Sequence, residues 1–170
     1  MTALVHFIAG STGAGKTTYA LKLCEEIGGV RFSIDEWMAA LYWMDSPQPL
    51  APDWTMERLA RCYAQIWNVT AQTARRGVPC VLDLGFSQRT AREEFAALAS
   101  SAAFDVHLHV LNAPAEERWR RVEGRNAERG QTYQLQFDVT RDMFDFVELM
   151  WEPPGEAEMR AYDAVTLVGG

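Results

Sequence analysis

Apolar residues along this chain fall into two kinds of stretch. Short unbroken runs have strand length: LVHFIA at 4–9, VRFSI at 30–34, VPCVLD ending at Asp83, and FDVHLHVLN just before Pro114. The run before Asp83 has hardly a polar residue, which is the pattern of a strand buried on both faces. Between these runs the apolar positions recur at helical spacing. Ala20, Leu21, Cys24 and Ile27 mark a helix that stops at Gly28 and Gly29, while Leu59, Tyr63, Ile66, Val69 and Thr73 mark a long one that stops at Gly77. Another opens at Ser87 or Gln88 and runs through Leu98, and Val139, Met143, Phe146, Val147 and Met150 mark one halted by Pro153 and Pro154. A short helix is expected over 36–43, and the three prolines of MDSPQPLAPDW forbid regular structure across that loop. AEERWRRVEGRNAERG reads as a helix too charged to cover much core, and AYDAVTLVG supplies a last strand. Strands alternating with helices imply an α/β fold, a parallel sheet wrapped on both sides.

The loop after the first strand turns this outline into chemistry. GSTGAGKTT, residues 10–18, fits the pattern G-x-x-x-x-G-K-[ST] through Gly10, Gly15, Lys16 and Thr17, and it sits between a strand and a helix as the pattern requires. Backbone N–H groups of Gly10, Ser11, Thr12, Gly13, Ala14, Gly15, Lys16, Thr17 and Thr18 are then expected to cradle phosphates at the positive end of the helix. Lys16, one of only two lysines in the chain, would reach the terminal phosphates, and the Thr17 hydroxyl would hold Mg2+. The expected cofactors are ATP and Mg2+; a guanine-reading N-K-x-D sequence is absent, which favours ATP over GTP.

Composition narrows the setting. A chain of 170 residues, 48% of them hydrophobic, is expected to form one domain over 1–170 with a real core. No run approaches a membrane span and no leader pattern is seen, so no membrane partner and a cytoplasmic location are expected. A net charge of −7 argues against a general affinity for nucleic acid. Cys24, Cys62 and Cys80 are widely spaced and read as small buried hydrophobes.

Three further groups are candidates for chemistry, each with a plainer structural reading beside it. Asp83 follows an apolar strand, where a carboxylate can orient magnesium or merely cap the next turn. Asp35 lies where the second strand gives way to a helix: Ser33 and Glu36 match a capping box, yet this edge is where open α/β sheets build ligand sites, and a carboxylate there can take a proton from an attacking hydroxyl. Arg118, Arg120, Arg121, Arg125 and Arg129 form a solvated helix face or a phosphate clamp; Arg118, Arg121 and Arg125 share one face. His107 and His109 alternate along a strand with no third ligand near them in sequence, so packing is the expected role. Trp37, Trp43, Trp54 and Phe86 flank the Asp35 edge as core or as an apolar wall for a substrate.

AGSTGAGKTT, RFSIDEW, VLDLGFSQRTARE, RWRRVEGRN and FDFVELMWEPPGE, in that order, resemble the P-loop kinase-like family that includes zeta toxins, chloramphenicol phosphotransferase and the kinase module of polynucleotide kinases. The resemblance implies a three-layer P-loop NTPase fold with a five-stranded parallel sheet, an ATP site at the P-loop, Asp35 as general base, and a helical, arginine-bearing lid over about residues 115–137. It places catalytic roles on Lys16, Asp35 and Arg118, Arg121 or Arg125, metal binding on Thr17 and Asp83, and a substrate-facing role on Arg89 or Arg92. No basic residue accompanies Asp35 in the sequence, a departure from polynucleotide 5′-kinases. The expected activity is transfer of the γ-phosphate of ATP to a hydroxyl of a small molecule; the rival readings are an ATP-binding switch without an acceptor and a polynucleotide or sugar-nucleotide kinase.

Overall fold

The computed structural model describes residues 4–127 and 138–168. Five strands, β1 (Leu4–Gly10), β2 (Val30–Ser33), β3 (Cys80–Asp83), β4 (Asp105–Asn112) and β5 (Val165–Val168), form one sheet in the order β2-β3-β1-β4-β5. All four pairings are parallel. Helices α1 (Lys16–Ile27), α2 (Ile34–Tyr42), α3 (Pro52–Ala74), α4 (Arg89–Ser101), α5 (Ala115–Ala127), α6 (Arg141–Glu148) and α7 (Glu156–Ala161) connect or follow them.

Alternation along the strands splits the core in two. Val5, Phe7 and Ala9 of β1 face one way, with Leu108 and Val110 of β4, against Cys62 and Ile66 of α3 and Phe95 and Ala99 of α4. Ile8, Val81 and Leu111 face the other way against Ala20 and Leu23 of α1. The result is three layers, helix, sheet and helix. β3 is buried at every position, as its unbroken apolarity predicts. Burying a side chain such as Phe7 or Ile66 contributes about 1.5–3 kcal/mol.

Helix existence is read well from the pattern and helix phase less well. In α1, Leu23 is buried and Leu21 is 49% exposed. A step of 100° per residue puts Leu23, not Leu21, on the face of Ala20. Of the stripe expected around α6, Met143, Phe146 and Met150 are exposed and Val139 is buried, while the helix turns Phe144 inward, 1% accessible, to pack with Val139, Val122 and the half-buried Trp119 in a cluster apart from the sheet. Pro52 does not belong to an irregular loop: it opens α3, where a missing N–H costs nothing. Glycine and proline around α7 conceal a helix too short to show periodicity.

Candidate functional site

The loop from β1 to α1 lies at the C-terminal edge of the sheet. Gly15, with φ +88°, is the N-cap of α1; no side chain caps that helix and its first turn has no acidic residue, so its leading N–H groups are left for a ligand. Gly13 adopts φ +77°, and a Cβ there would meet the Arg118 carbonyl oxygen at 2.5 Å, so the loop can pass this close to α5 only as glycine. Ser11 accepts at its carbonyl from the Ala14 N–H at 3.2 Å and from Lys16 Nζ at 2.9 Å. Thr17 and Thr18 stand in the first turn of α1.

β3 delivers Asp83 to the same edge, 6% exposed, and Ser33 at the end of β2 pairs in register with it. One residue into α2 stands Asp35, while Ser33 caps the helix by accepting from the Glu36 N–H. The cap is therefore Ser33, and the Asp35 carboxylate is left over. Asp35 touches solvent yet sits amid protein mass; burial first and the Asp83 charge second push its carboxyl above the ordinary value, with Lys16 and Arg125 pulling the other way. Burial lowers Lys16, opposed chiefly by Asp83 and Asp35. Lysine, two aspartates and an arginine thus share one electrostatic neighbourhood.

The three arginines on one face of α5 part company. Arg118 is 5% exposed and tied down: Nε donates to the Ala113 carbonyl at 2.8 Å, Nη1 donates to the Thr12 carbonyl at 3.1 Å, and Nη1 also pairs with Glu148 Oε2 at 2.6 Å. Ser11 Oγ donates to that same Glu148 oxygen at 3.1 Å. Arg118 and Glu148 thereby brace the glycine loop from behind. Arg121 pairs with Glu117 and lies beside Gly15. Arg125 couples to both Asp35 and Lys16, and its buried Nη2 has no hydrogen-bond partner among the described residues. Arg120 is exposed, and Arg129 lies outside the described residues, as does the part of the expected lid over 128–137.

Two expectations need correction. A basic residue does accompany the Asp35 edge: Arg31 of β2 donates from Nη1 to Asp83 Oδ2 at 2.9 Å and pairs with Glu36. The signal was period-2 alternation, which puts Arg31 and Ser33 on one face beside the end of β3. Nor does Arg92 face an open site. Arg92 is fully buried, donating to the Phe86 carbonyl at 2.9 Å and pairing with Glu158 of α7, and Arg89 pairs with Glu93 on the surface. Phe86 belongs to the core, stacked on Phe7 at 4.7 Å, whereas Trp37, Trp43 and Trp54 are half-buried.

With this geometry in view, comparison with known proteins gives a consistent picture. A family model described as an AAA domain matches residues 5–150. No curated protein matches. Among solved structures, a protein of Chloroflexus aurantiacus J-10-fl assigned as a kinase is similar with TM-score 0.75 and 17% identity over 99% of this chain and 89% of its own. Kti12 of Chaetomium thermophilum in complex with ADP-AlF3 is similar with TM-score 0.70 and 15% identity, covering 96% and 88% of the two chains. A gluconokinase from Sinorhizobium meliloti 1021 gives TM-score 0.61 and 14% identity over 98% and 83%. The chain belongs to the AAA domain family, and its fold is that of the P-loop kinases.

Proposed function

We propose that the protein is an ATP-dependent phosphotransferase whose acceptor is a hydroxyl of a small molecule, acting as one domain with α5 as part of a lid. The observation that carries this reading is Asp35: a carboxylate freed from capping by Ser33, accessible to solvent, and set within the charge field of Lys16, Asp83 and Arg125. The chain's own groups fit a magnesium-bound triphosphate. The α1 N-terminus is uncapped, Arg125 has an orphaned guanidinium nitrogen, and Asp83 and Thr17 offer the hard oxygen donors magnesium prefers.

ATP with Mg2+ supplies the transferable phosphoryl group and offsets part of its charge. The loop amides from Gly10 to Thr18 hold the phosphate chain against the positive end of α1. Lys16 and Arg125 neutralise charge that develops on the moving group, with Arg121 on the same side, and Thr17 and Asp83 would hold the metal. Asp35 orients the acceptor hydroxyl and takes its proton as attack begins; a raised carboxyl is a better base than an ordinary aspartate. Arg118 has a different task, keeping the loop in shape. Arg31 is committed to Asp83 and Glu36, and with a net charge of −7 this weighs toward an uncharged hydroxyl acceptor over a nucleic acid.

The test is a screen of sugars, nucleosides, aminoglycoside and phenicol antibiotics and a 5′-hydroxyl oligonucleotide for ATP-dependent mass gain of one phosphate. Transfer to a small molecule that Lys16→Ala abolishes is the expected result. ATP hydrolysis of equal rate with every compound and with none would replace a transferase by a switch.

A further inference from the structure

Three histidines that take no part in the proposed transfer meet on the α1 side of the sheet. His6 of β1 is in register with His107 of β4, and His109 stands two residues further along β4, so alternation sends all three rings to one face. Pairing of histidine with histidine was invisible in sequence because His6 lies a hundred residues away. Ring centroids are 5.7 Å apart for His6 and His107, 5.1 Å for His6 and His109, and 4.5 Å for His107 and His109. One ring nitrogen from each lies within 4.8 Å of the other two.

The polar atoms of this cluster are poorly spent for a packing role. His6 Nδ1 and His109 Nε2 share one hydrogen bond of 2.9 Å, so two basic nitrogens are aimed at each other with a single hydrogen between them. His107 Nε2 is buried with no partner among the described residues. Buried polar atoms are nearly always satisfied, and an orphan of this kind marks a missing partner. The remaining nitrogen of His109, Nδ1, lies 2.8 Å from the Tyr19 hydroxyl of α1.

We propose that His6, His107 and His109 form a binding site for a divalent transition-metal ion of the zinc class. Three imidazoles without a carboxylate suit zinc, copper, nickel or cobalt and not magnesium or calcium. The metal takes the place of the hydrogen shared by His6 Nδ1 and His109 Nε2. That hydrogen moves to the other nitrogen of its ring, so the exchange itself releases no proton. His107 Nε2 becomes the third ligand: the His6–His109 pair opens slightly from 2.9 Å while the His107 ring turns toward it, so that all three nitrogens reach metal–nitrogen distances near 2.0–2.1 Å. Tyr19 then accepts from His109 Nδ1–H and holds the ring, as carbonyls and carboxylates do for metal-binding histidines. His107 is half-buried and Val165, beside His109 on the edge strand β5, is 38% exposed, which gives the ion a way in and a solvent ligand at its open position. The site is distinct from the phosphate cradle: His6 precedes Gly10 by four residues of strand, about 13 Å.

The experiment uses chelator-treated full-length protein without a histidine tag, in excess Mg2+ so that oxygen sites elsewhere are occupied. Co2+ is titrated while visible absorption is read, and Zn2+ affinity is then measured by calorimetry. One equivalent of Co2+ should develop the intense bands of a low-coordinate nitrogen site, and Zn2+ should compete them away. His107→Gln, at a half-buried position, should weaken both metals at least tenfold, and Tyr19→Phe should weaken them about 10–100-fold, more than the small drop in metal-free melting temperature expected from the lost His109 hydrogen bond explains. A folded parent protein that develops no such bands, or a His107→Gln variant that binds as tightly as the parent, overturns the proposal.

Discussion

A residue's role here is decided by whether its polar atoms are spent. The Asp35 carboxylate makes no hydrogen bond among the described residues and Arg125 leaves Nη2 unbonded, whereas Arg118 is held by two backbone carbonyls and Glu148, although sequence spacing treats the three arginines of α5 alike. Asp35→Asn should lower transfer by ~10²–10⁴ while nucleotide affinity changes little, measured by steady-state kinetics and direct ATP binding. Its effect on stability has a sign. A carboxyl whose folded value is raised contributes stability that is whole below the ordinary carboxylate range and lost as pH rises through the raised value. At neutral pH the asparagine variant should therefore melt no lower than the parent, and the parent's rate should fall on the acid side at a pH above that of an ordinary aspartate. A lower melting temperature for Asp35→Asn would mean that its charge stabilises the fold. For the arginines, Arg125→Ala should cost rate with little stability, whereas Arg118→Ala should cost on the order of 2–3 kcal/mol in urea unfolding, the loss of a charged donor to the buried Ala113 carbonyl and to the partly buried Thr12 carbonyl. Lys16, Thr17 and the glycines were legible because a short contiguous motif carries them. Arg31 and Glu148 were not, since each acts through a partner 52 or 137 residues away.

At the scale of elements, α5 and α6 form a unit of their own. Val122 and Trp119 meet Val139 and Phe144, with Trp119 and Phe144 edge to face at 5.4 Å, and this cluster is separate from both faces of the sheet. The unit is fastened to the loop chiefly through Arg118 and Glu148. Phe144→Ala should thus loosen α5 and α6 by roughly 3 kcal/mol without touching the sheet, seen as faster hydrogen exchange in 115–127 and 141–148 and unchanged protection of β1 and β3. A magnesium–ATP analogue should slow exchange in α5 of the parent; equal protection with and without it would remove α5 from the lid. The phase of α6 was misread for a physical reason. Its most apolar stripe is not the one that packs, because Glu148 must face Arg118 and that carries Phe144 inward with it.

For the molecule as a whole, strand existence, parallel pairing and the three-layer class followed from alternation of runs and periods, since a parallel sheet hides its strands from water and so demands unbroken apolarity. Strand order did not follow. Nothing in the runs says that β1 lies between β3 and β4, and this permutation is what brings Asp83 next to the P-loop and His6 next to His107.

The same permutation sets a timetable for biosynthesis. β1 leaves the ribosome first, yet Val5 must wait for Cys80 and Leu4 for Asp105 before either edge is paired. At roughly 5–20 residues per second that delay is about 4–15 s for the first edge alone, during which the most apolar strand of the nascent chain is a sticky, open ribbon. Slow translation should favour aggregation or chaperone capture of this segment. The phosphate cradle, built on the end of that strand, is flanked on both sides only once Leu111 of β4 stands beside Gly10.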